Sequence, residues 1–314
     1  MTDKLGIVVV HYNTPQLLSS CLKSLRTCRV PHAVVVVDNA SPSPEGVELV
    51  EREFPEARII RCPENRGFAA ACNIGLAALC PPLAGAPGTV DGLFLLLNAD
   101  TVVQAGALET LIAFLEQHPR AGAAGPRLLN PDGSIQENAF TFPTLLMSFL
   151  DFFPLHGRIY RSRLNGRYPQ MYGEEPFPID HPLGACLLLR GEALAQVGLL
   201  DEGYFMYVEE VDLCYRLKRA GWEVWHVPTA RVVHLGGQST RQMPERMFVE
   251  LHRSRYRFFH RYYPRAFLWA HRQITRLGLW WRAHRDRRAW RHGEIDAEEF
   301  ARRLAAYAEI AAMR

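Results

Sequence analysis

No apolar run in this sequence approaches the ~20 residues that a bilayer-spanning helix needs, so no membrane-crossing segment is expected. None of the seven cysteines (21, 28, 62, 72, 80, 186, 214) belongs to a Cys-x-x-Cys pair. They read as reduced core residues, which argues against a zinc site and for a reducing, cytosolic compartment. The start, Met1-Thr2-Asp3-Lys4, runs straight into a strand-like segment, so no secretory leader is expected. A Walker A loop and a Gly-x-Gly-x-x-Gly turn are both missing, which removes the two commonest nucleotide motifs. Internal repeats and low-complexity stretches are missing too.

What is there is the composition of an ordinary globular protein. With 314 residues, 48% hydrophobic and 22% charged, the chain suffices for one large α/β domain or two smaller ones. The net charge of +3 is unevenly spread. From residue 251 onward there are fifteen arginines and no lysine against six acids, a balance of +9 that leaves −6 for residues 1–250.

Short continuous runs of Val, Ile and Leu at Leu5–Val10, Ala33–Val37, Ala57–Ile60 and Leu93–Leu97 suit strands buried on both faces, as in a parallel sheet. Helical spacing of apolar residues falls between them, at Pro15–Arg26, Phe68–Leu79 and Ala105–Gln117. The order β-α-β-α-β-α-β-α over residues 5–118 predicts a wound α/β sheet. Pro81–Gly92 reads as a surface excursion, and Asn130-Pro131-Asp132-Gly133 as a hairpin tip. Residues 138–182 are irregular and rich in proline and aromatics, either a lid or a packed connector. Regular structure resumes with a strand at Gly184–Arg190 and a helix at Glu209–Ala220. Two further strands are predicted, at Glu223–Val227 and Arg231–Leu235.

Polar clusters follow several of these strands. Leu93–Leu97 empties into Asn98-Ala99-Asp100-Thr101, which puts a carboxylate at the ligand-binding edge of the sheet, unless Asp100 only caps the next helix. The first strand ends in His11-Tyr12-Asn13-Thr14-Pro15 and the second in Asp38-Asn39-Ala40-Ser41. Asp38 could accept from a nucleobase imide N–H while the first loop shapes the base pocket, or these residues serve turns and caps alone. In Asn65-Arg66-Gly67-Phe68, Arg66 offers a cation near a helix N-terminus and Gly67 allows close approach, a setting suited to phosphate. Asn73 on the same helix could reach that ligand, although tight helix–sheet packing also explains the small residues around it.

The densest stretch is 201–212, where Glu209, Glu210 and Asp212 open a helix behind Tyr204, Phe205, Met206 and Tyr207. Acids suit the positive end of a helix dipole. An apolar wall beside them raises a carboxyl pKa toward the range of a general base. Finally, His234-Leu235-Gly236-Gly237-Gln238-Ser239-Thr240 follows a strand; His234 is either a core imidazole or a ligand for metal or diphosphate.

Taken in order, these segments resemble the inverting glycosyltransferases of family 2, and most of all their rhamnosyltransferase-like branch in bacterial surface-polysaccharide synthesis. The segments are Val9–Asn13, Val37–Ser41, Asn65–Ala69, Leu97–Asp100, Phe205–Arg216 and His234–Ser239. The resemblance implies a GT-A fold, a wound mixed sheet flanked by helices, over residues 1–240. A basic, aromatic-rich helical extension fills 241–314. It implies a nucleotide-sugar site of His11, Asn13, Asp38, Asn39, Arg66, Gly67, Asn73, Asn98 and Asp100, with Asp38 reading uracil or thymine. Asp100 would be the last residue of an Asp-x-Asp-type motif whose first acid is Asn98 here. Mg²⁺ or Mn²⁺ would rest on Asp100, the donor diphosphate and His234. Glu210 falls where the family usually has the Asp of a Glu-Asp pair, with Glu209 and Asp212 as the neighbouring candidates for the base.

The implied reaction is metal-assisted single displacement, moving a hexose from a dTDP- or UDP-linked donor to a hydroxyl of a glycan or lipid-linked acceptor. L-rhamnose from dTDP-rhamnose is the preferred donor. A degenerate, non-catalytic nucleotide-sugar-binding or scaffold protein is the alternative, and a sugar nucleotidyltransferase is a weaker one. The basic tail is expected to lie against the inner face of the cell membrane or to pack on protein, including a second copy in a homodimer. Nucleic acid is not the expected partner.

Overall fold

The computed structural model describes residues 5–86, 88–155, 157–238 and 242–313. The hydroxyl pair Ser239-Thr240, and with it the expected boundary at 240/241, lies outside them. In chain order the first elements are β1 (Leu5–His11), α1 (Pro15–Leu25), β2 (His32–Asp38), α2 (Glu45–Glu53), β3 (Arg58–Arg61) and α3 (Phe68–Leu79). Next come β4 (Leu93–Asn98), β5 (Thr101–Val103), α4 (Ala107–Gln117), β6 (Ala121–Leu129), β7 (Ile135–Gln136) and β8 (Ala139–Phe140). Then follow α5 (Leu145–Leu150), α6 (Gly157–Tyr160), β9 (Phe177–Pro178), β10 (His181–Pro182), β11 (Cys186–Arg190) and α7 (Gly191–Val197). The chain closes with α8 (Glu209–Arg219), β12 (Glu223–His234), α9 (Pro244–Tyr262), α10 (Arg265–Arg291) and α11 (Ala297–Ala312).

Most of the chain up to β12 forms one compact unit around a mixed sheet of order β3-β2-β1-β4-β11-β6-β12-β5. Strands β1 to β4 are mutually parallel where they pair; β1, β2 and β4 carry the buried apolar runs of a parallel sheet, whereas β3 (RIIR) is a half-exposed edge strand. Alternation decides which helix covers which face. Ile7, Val9, Leu95 and Leu97 point into a core shared with α1 and α4, whereas Val8 faces α3 so closely that a Cβ at Gly75 would overlap it. The chain order reverses between β1 and β4, β1 being followed in space by β2 on one side and β4 on the other. That is the switch point where open α/β sheets bind ligands.

Two expectations change. The strands expected at 223–227 and 231–235 are one strand, β12, whose pairing with β6 shifts between Val227 and Arg231. Strand β6 (AGAAGPRLL) carries no strand signal, since its Ala and Gly residues have low β-propensity. Packing demands them: a Cβ at Gly122 would press on Trp222, and one at Gly125 on Pro182.

The second compact unit gathers Thr141–Pro169, Met206–Val208 and Thr240–Arg314. Its core is Val249, Leu279, Ala306 and Ile310 of α9, α10 and α11, with Phe152 from the segment after α5. Gly278 lets α10 approach Phe152, whose ring a Cβ there would overlap. The single acid of α10, Asp286, is buried and accepts from Tyr307 Oη at 2.7 Å beside Arg303 at 3.3 Å.

Candidate active site

The carboxyl ends of β1 and β2 are stitched together before any ligand is considered. Asn39 N–H donates to His11 O at 2.9 Å, and Asn13 N–H to Ser41 Oγ at 2.8 Å. Asn13 and Ala40 both adopt positive φ (54° and 61°), a conformation that turns the two loops sharply at the strand ends. Asp38 and His11 are buried side by side, with Asp38 Oδ1 at 4.0 Å from His11 Nε2. Neither atom has a hydrogen-bond partner among the described residues. Burial holds the His11 imidazole below its ordinary pKa against the opposing pull of Asp38. The close approach needs Gly46, where a Cβ would overlap the His11 ring.

Asn39 carries the same edge across to α3. Its side-chain amide donates to Asn65 Oδ1 at 3.0 Å and Gly67 O at 3.1 Å, while its Oδ1 accepts from Arg66 N–H at 3.2 Å. Gly67 sits at φ +89°, and a Cβ there would overlap the Phe205 backbone, so this turn admits only glycine. Arg66 pairs with Glu202 at 3.0 Å, both side chains being about half exposed. Asn73 is turned toward the same loop: it donates to Leu200 O (2.9 Å) and Glu202 Oε1 (3.1 Å) and accepts from Leu200 N–H (3.1 Å). Its amide therefore fastens the loop at 200–202 to α3, with no group turned to a ligand.

At the end of β4, the antiparallel pairing of β5 with β12 sets Thr101 opposite His234. This places His234 Nε2 3.4 Å from Asp100 Oδ1. The tautomer follows from Gln136, whose amide nitrogen donates to Asn130 Oδ1 (3.1 Å) and to His234 O (3.4 Å). Gln136 Oε1 is then the acceptor facing His234 Nδ1 at 2.7 Å, so Nδ1 carries the hydrogen. In the neutral ring Nε2 presents a lone pair toward a carboxylate, two acceptors facing each other. That donor set fits a hard divalent cation completed by phosphate oxygens, with Gln136 as the outer partner that orients the imidazole. Asn98 Oδ1 is buried nearby in sequence and also lacks a partner among the described residues.

The acid pair lies at the same edge. Asn98 N–H donates to Ala185 O at 2.9 Å, and Gly184, one residue earlier, abuts Glu210, where a Cβ would meet the side chain at 3.4 Å. Burial pushes the Glu210 carboxyl up to about 7, although backbone N–H groups, that of Gly184 among them, favour its ionised form. Glu209 is held well above the ordinary carboxylate range, by burial and by repulsion from Glu210. Glu209 Oε2 and Glu210 Oε2 have no partner among the described residues. Asp212 differs. It is fully buried, with one oxygen 2.7 Å from Arg216 and the other accepting from Tyr204 Oη at 3.3 Å. Arg216 in turn donates to the carbonyls of Val197, Gly198 and Leu199, so this ion pair anchors α8 to the preceding loop.

The structure thus brings His11, Asn13, Asp38, Asn39, Arg66 and Gly67 together around the ends of β1, β2 and α3. Asn98, Asp100 and His234 gather around the ends of β4 and β12, and Glu209 and Glu210 stand beside Gly184. Sequence reasoning missed Gln136 and Gly46 and gave Glu202 no role of its own; each acts on a site residue far along the chain, Gln136 on His234, Gly46 on His11 and Glu202 on Arg66 and Asn73. Gln136, lying just past the hairpin signal and in the strand after it, is the one a pattern could have flagged.

A mixed sheet flanked by helices, with an acid–imidazole pair and a raised, buried carboxyl at one edge, has the architecture of a glycosyltransferase of the GT-A type. A solved mannosyltransferase of Pyrobaculum calidifontis, in complex with GDP-Man and Mn²⁺, shares this fold, with a TM-score of 0.54 at 16% identity over 99% of this chain and 76% of that one. The family model for glycosyl transferase family 2 matches residues 6–197, and the chain belongs to that family. Among curated relatives, the N-acetylglucosaminyl-diphospho-decaprenol L-rhamnosyltransferase of Mycobacterium tuberculosis is 33% identical over 291 residues, 90% of this chain and 88% of that one. The low-salt glycan biosynthesis hexosyltransferase Agl10 of Haloferax volcanii is 26% identical over 241 residues, 74% of this chain and 68% of that one. The chain is a family 2 glycosyltransferase.

Proposed function

We propose that this enzyme transfers L-rhamnose from dTDP-rhamnose to a hydroxyl of a lipid-linked glycan, with inversion, at the cytoplasmic face of the membrane. The reading of the reaction type is supported by Glu210, a buried carboxyl that burial pushes up to about 7 and whose Oε2 has no partner among the described residues, at the same sheet edge as Asn98 and Asp100. Sugar and acceptor rest on the printed activity of the Mycobacterium tuberculosis relative.

In this reading Asp38 accepts the imide N–H of thymine, with His11 and Asn13 closing the base pocket. Asn39 and Gly67 shape the turn along which the diphosphate runs, and Arg66 leaves Glu202 to meet its charge. Asp100 and His234 hold Mg²⁺ or Mn²⁺, which when bound supplies positive charge for the leaving diphosphate. Glu210 takes the proton of the acceptor hydroxyl as that oxygen bonds to the anomeric carbon. The bond from carbon to the diphosphate oxygen breaks with its electron pair on the leaving group. No protein nucleophile intervenes, so the anomeric configuration inverts.

The test offers dTDP-rhamnose and UDP-hexoses separately, with a lipid-linked N-acetylglucosaminyl diphosphate as acceptor, and reads the product's anomeric configuration by NMR. Inverted product from dTDP-rhamnose alone supports the reading. Transfer only from a UDP-hexose refutes the donor, and retained configuration refutes the single displacement.

A further inference from the structure

The second unit carries a surface that sugar transfer itself does not require. Helix α10 runs for 27 residues, about 40 Å, and contains eight arginines against one acid, the buried Asp286. Its inward side is set by Leu268, His271, Thr275, Gly278 and Leu279, all buried. At about 100° per residue, Trp269, Arg276, Trp280, Arg287 and Arg291 fall within an arc of about 60° on the opposite side. Trp269 is 66% exposed and Trp280 59%, with Leu277 at 53% on the flank. Large indoles are rarely left this open on a soluble surface, and here they recur along one line, separated by arginines.

We infer that this face of α10 is a docking surface for a bilayer bearing anionic lipid headgroups. Charge complementarity decides the occupant. No acid interrupts the solvent face of the helix, so every exposed ionised group along it is cationic. Indole is the side chain best suited to the boundary between headgroups and acyl chains, with its apolar body inward and its N–H toward water. Arginine beside it reaches phosphates bidentately. Among the described residues no helix is long and apolar enough to cross a membrane, so the helix lies on the bilayer instead of spanning it. The inference rests on the proposed lipid-linked acceptor for its purpose alone: a protein held at the membrane meets that acceptor in two dimensions.

The test is co-sedimentation of the full chain with vesicles of phosphatidylcholine alone and of phosphatidylcholine with one quarter phosphatidylglycerol, with and without added salt. Each arginine near an anionic surface is worth about fivefold in partitioning. The wild type should therefore bind the anionic vesicles at least tenfold better, and lose the difference in high salt. Trp269→Ser with Trp280→Ser, and separately Arg276→Glu with Arg287→Glu, should each weaken binding by roughly twentyfold or more. Circular dichroism and melting temperature should stay unchanged, since these side chains face away from the core. Failure of the wild type to bind anionic vesicles overturns the inference, as does undiminished binding by both variants. A dimer in solution that the Trp269→Ser, Trp280→Ser variant converts to a monomer would also overturn it, by giving the face to a second copy. Because this readout needs neither donor nor acceptor, vesicle binding without rhamnosyl transfer would refute the proposed reaction and leave the surface standing.

Discussion

Replacing Glu210 by glutamine should do two opposite things: remove sugar transfer and stabilise the protein at alkaline pH. Burial lifts this carboxyl from 4.5 to about 7. A carboxyl raised in the folded state holds its proton more tightly there than in the unfolded chain. Its stabilising contribution is complete below about pH 4.5 and is lost as pH rises through 7. Across that interval, at about 1.4 kcal/mol per pH unit, the cost of keeping Glu210 ionised in place reaches about 3 kcal/mol. Glutamine keeps the shape and never ionises, but its buried amide gives back about 1 kcal/mol for an unmatched donor. The net gain at pH 8 is about 2 kcal/mol, or about 3 °C in melting temperature for a chain of this length.

At pH 4.5 the wild-type carboxyl is neutral as well, and only the amide penalty remains, so the variant should melt slightly below the wild type. The sign of the difference thus reverses between pH 4.5 and pH 8, which no general stabilisation would produce. Calorimetry of both proteins at those two pH values reads it directly. A turnover assay on the same samples should show kcat lower by about 10²- to 10⁴-fold, the usual worth of a general base. Parallel curves of melting temperature against pH would refute the raised carboxyl. Wild-type turnover at pH 8 would refute its role as the base.

Three further outcomes follow from the same site. Glu209→Gln should keep transfer within a few-fold, because burial and Glu210 already hold Glu209 toward its neutral acid; a loss as deep as that of Glu210→Gln would move the base to Glu209. Gln136→Leu should weaken Mn²⁺ binding by about 10- to 100-fold, measured by titration calorimetry in the presence of dTDP, since it releases the His234 ring from its fixed tautomer. Unchanged affinity would show that His234 is no ligand. Gly67→Ala should destabilise by about 2–3 kcal/mol in chemical denaturation, because positive φ and the overlap with the Phe205 backbone act together. A change below about 0.5 kcal/mol would mean that the 205 segment yields at little cost.

The parallel half of the sheet was legible because a strand buried on both faces must be apolar without interruption, and β1, β2 and β4 are. Strand β6 was not legible. Its neighbours β11 and β12 and the rings of Trp222 and Pro182 leave room for only small side chains, and that constraint comes from residues some 60 to 100 positions away. The same division runs through the site. Asp38, Asn39, Asn98 and Asp100 stand where strands end, and a strand end can be read from the chain itself.

Which of the polar residues remain available for chemistry depends instead on partners that only the fold supplies. Asn73 and Asp212 look as chemically apt in sequence as Asn39 and Glu210 do. Asn73 is saturated by Leu200 and Glu202, 127 and 129 residues on, and Asp212 by Arg216 and a tyrosine. Glu210 stays open because its surroundings, Gly184 among them, offer backbone N–H groups and burial but, among the described residues, no cation. A carboxylate that meets an arginine is stabilised as an anion and makes a poor base. One denied a counter-charge is held near neutrality, at a cost in stability that the glutamine substitution would recover. The functional acid is therefore recognised by the partner it lacks, and a missing partner is a property of the folded chain.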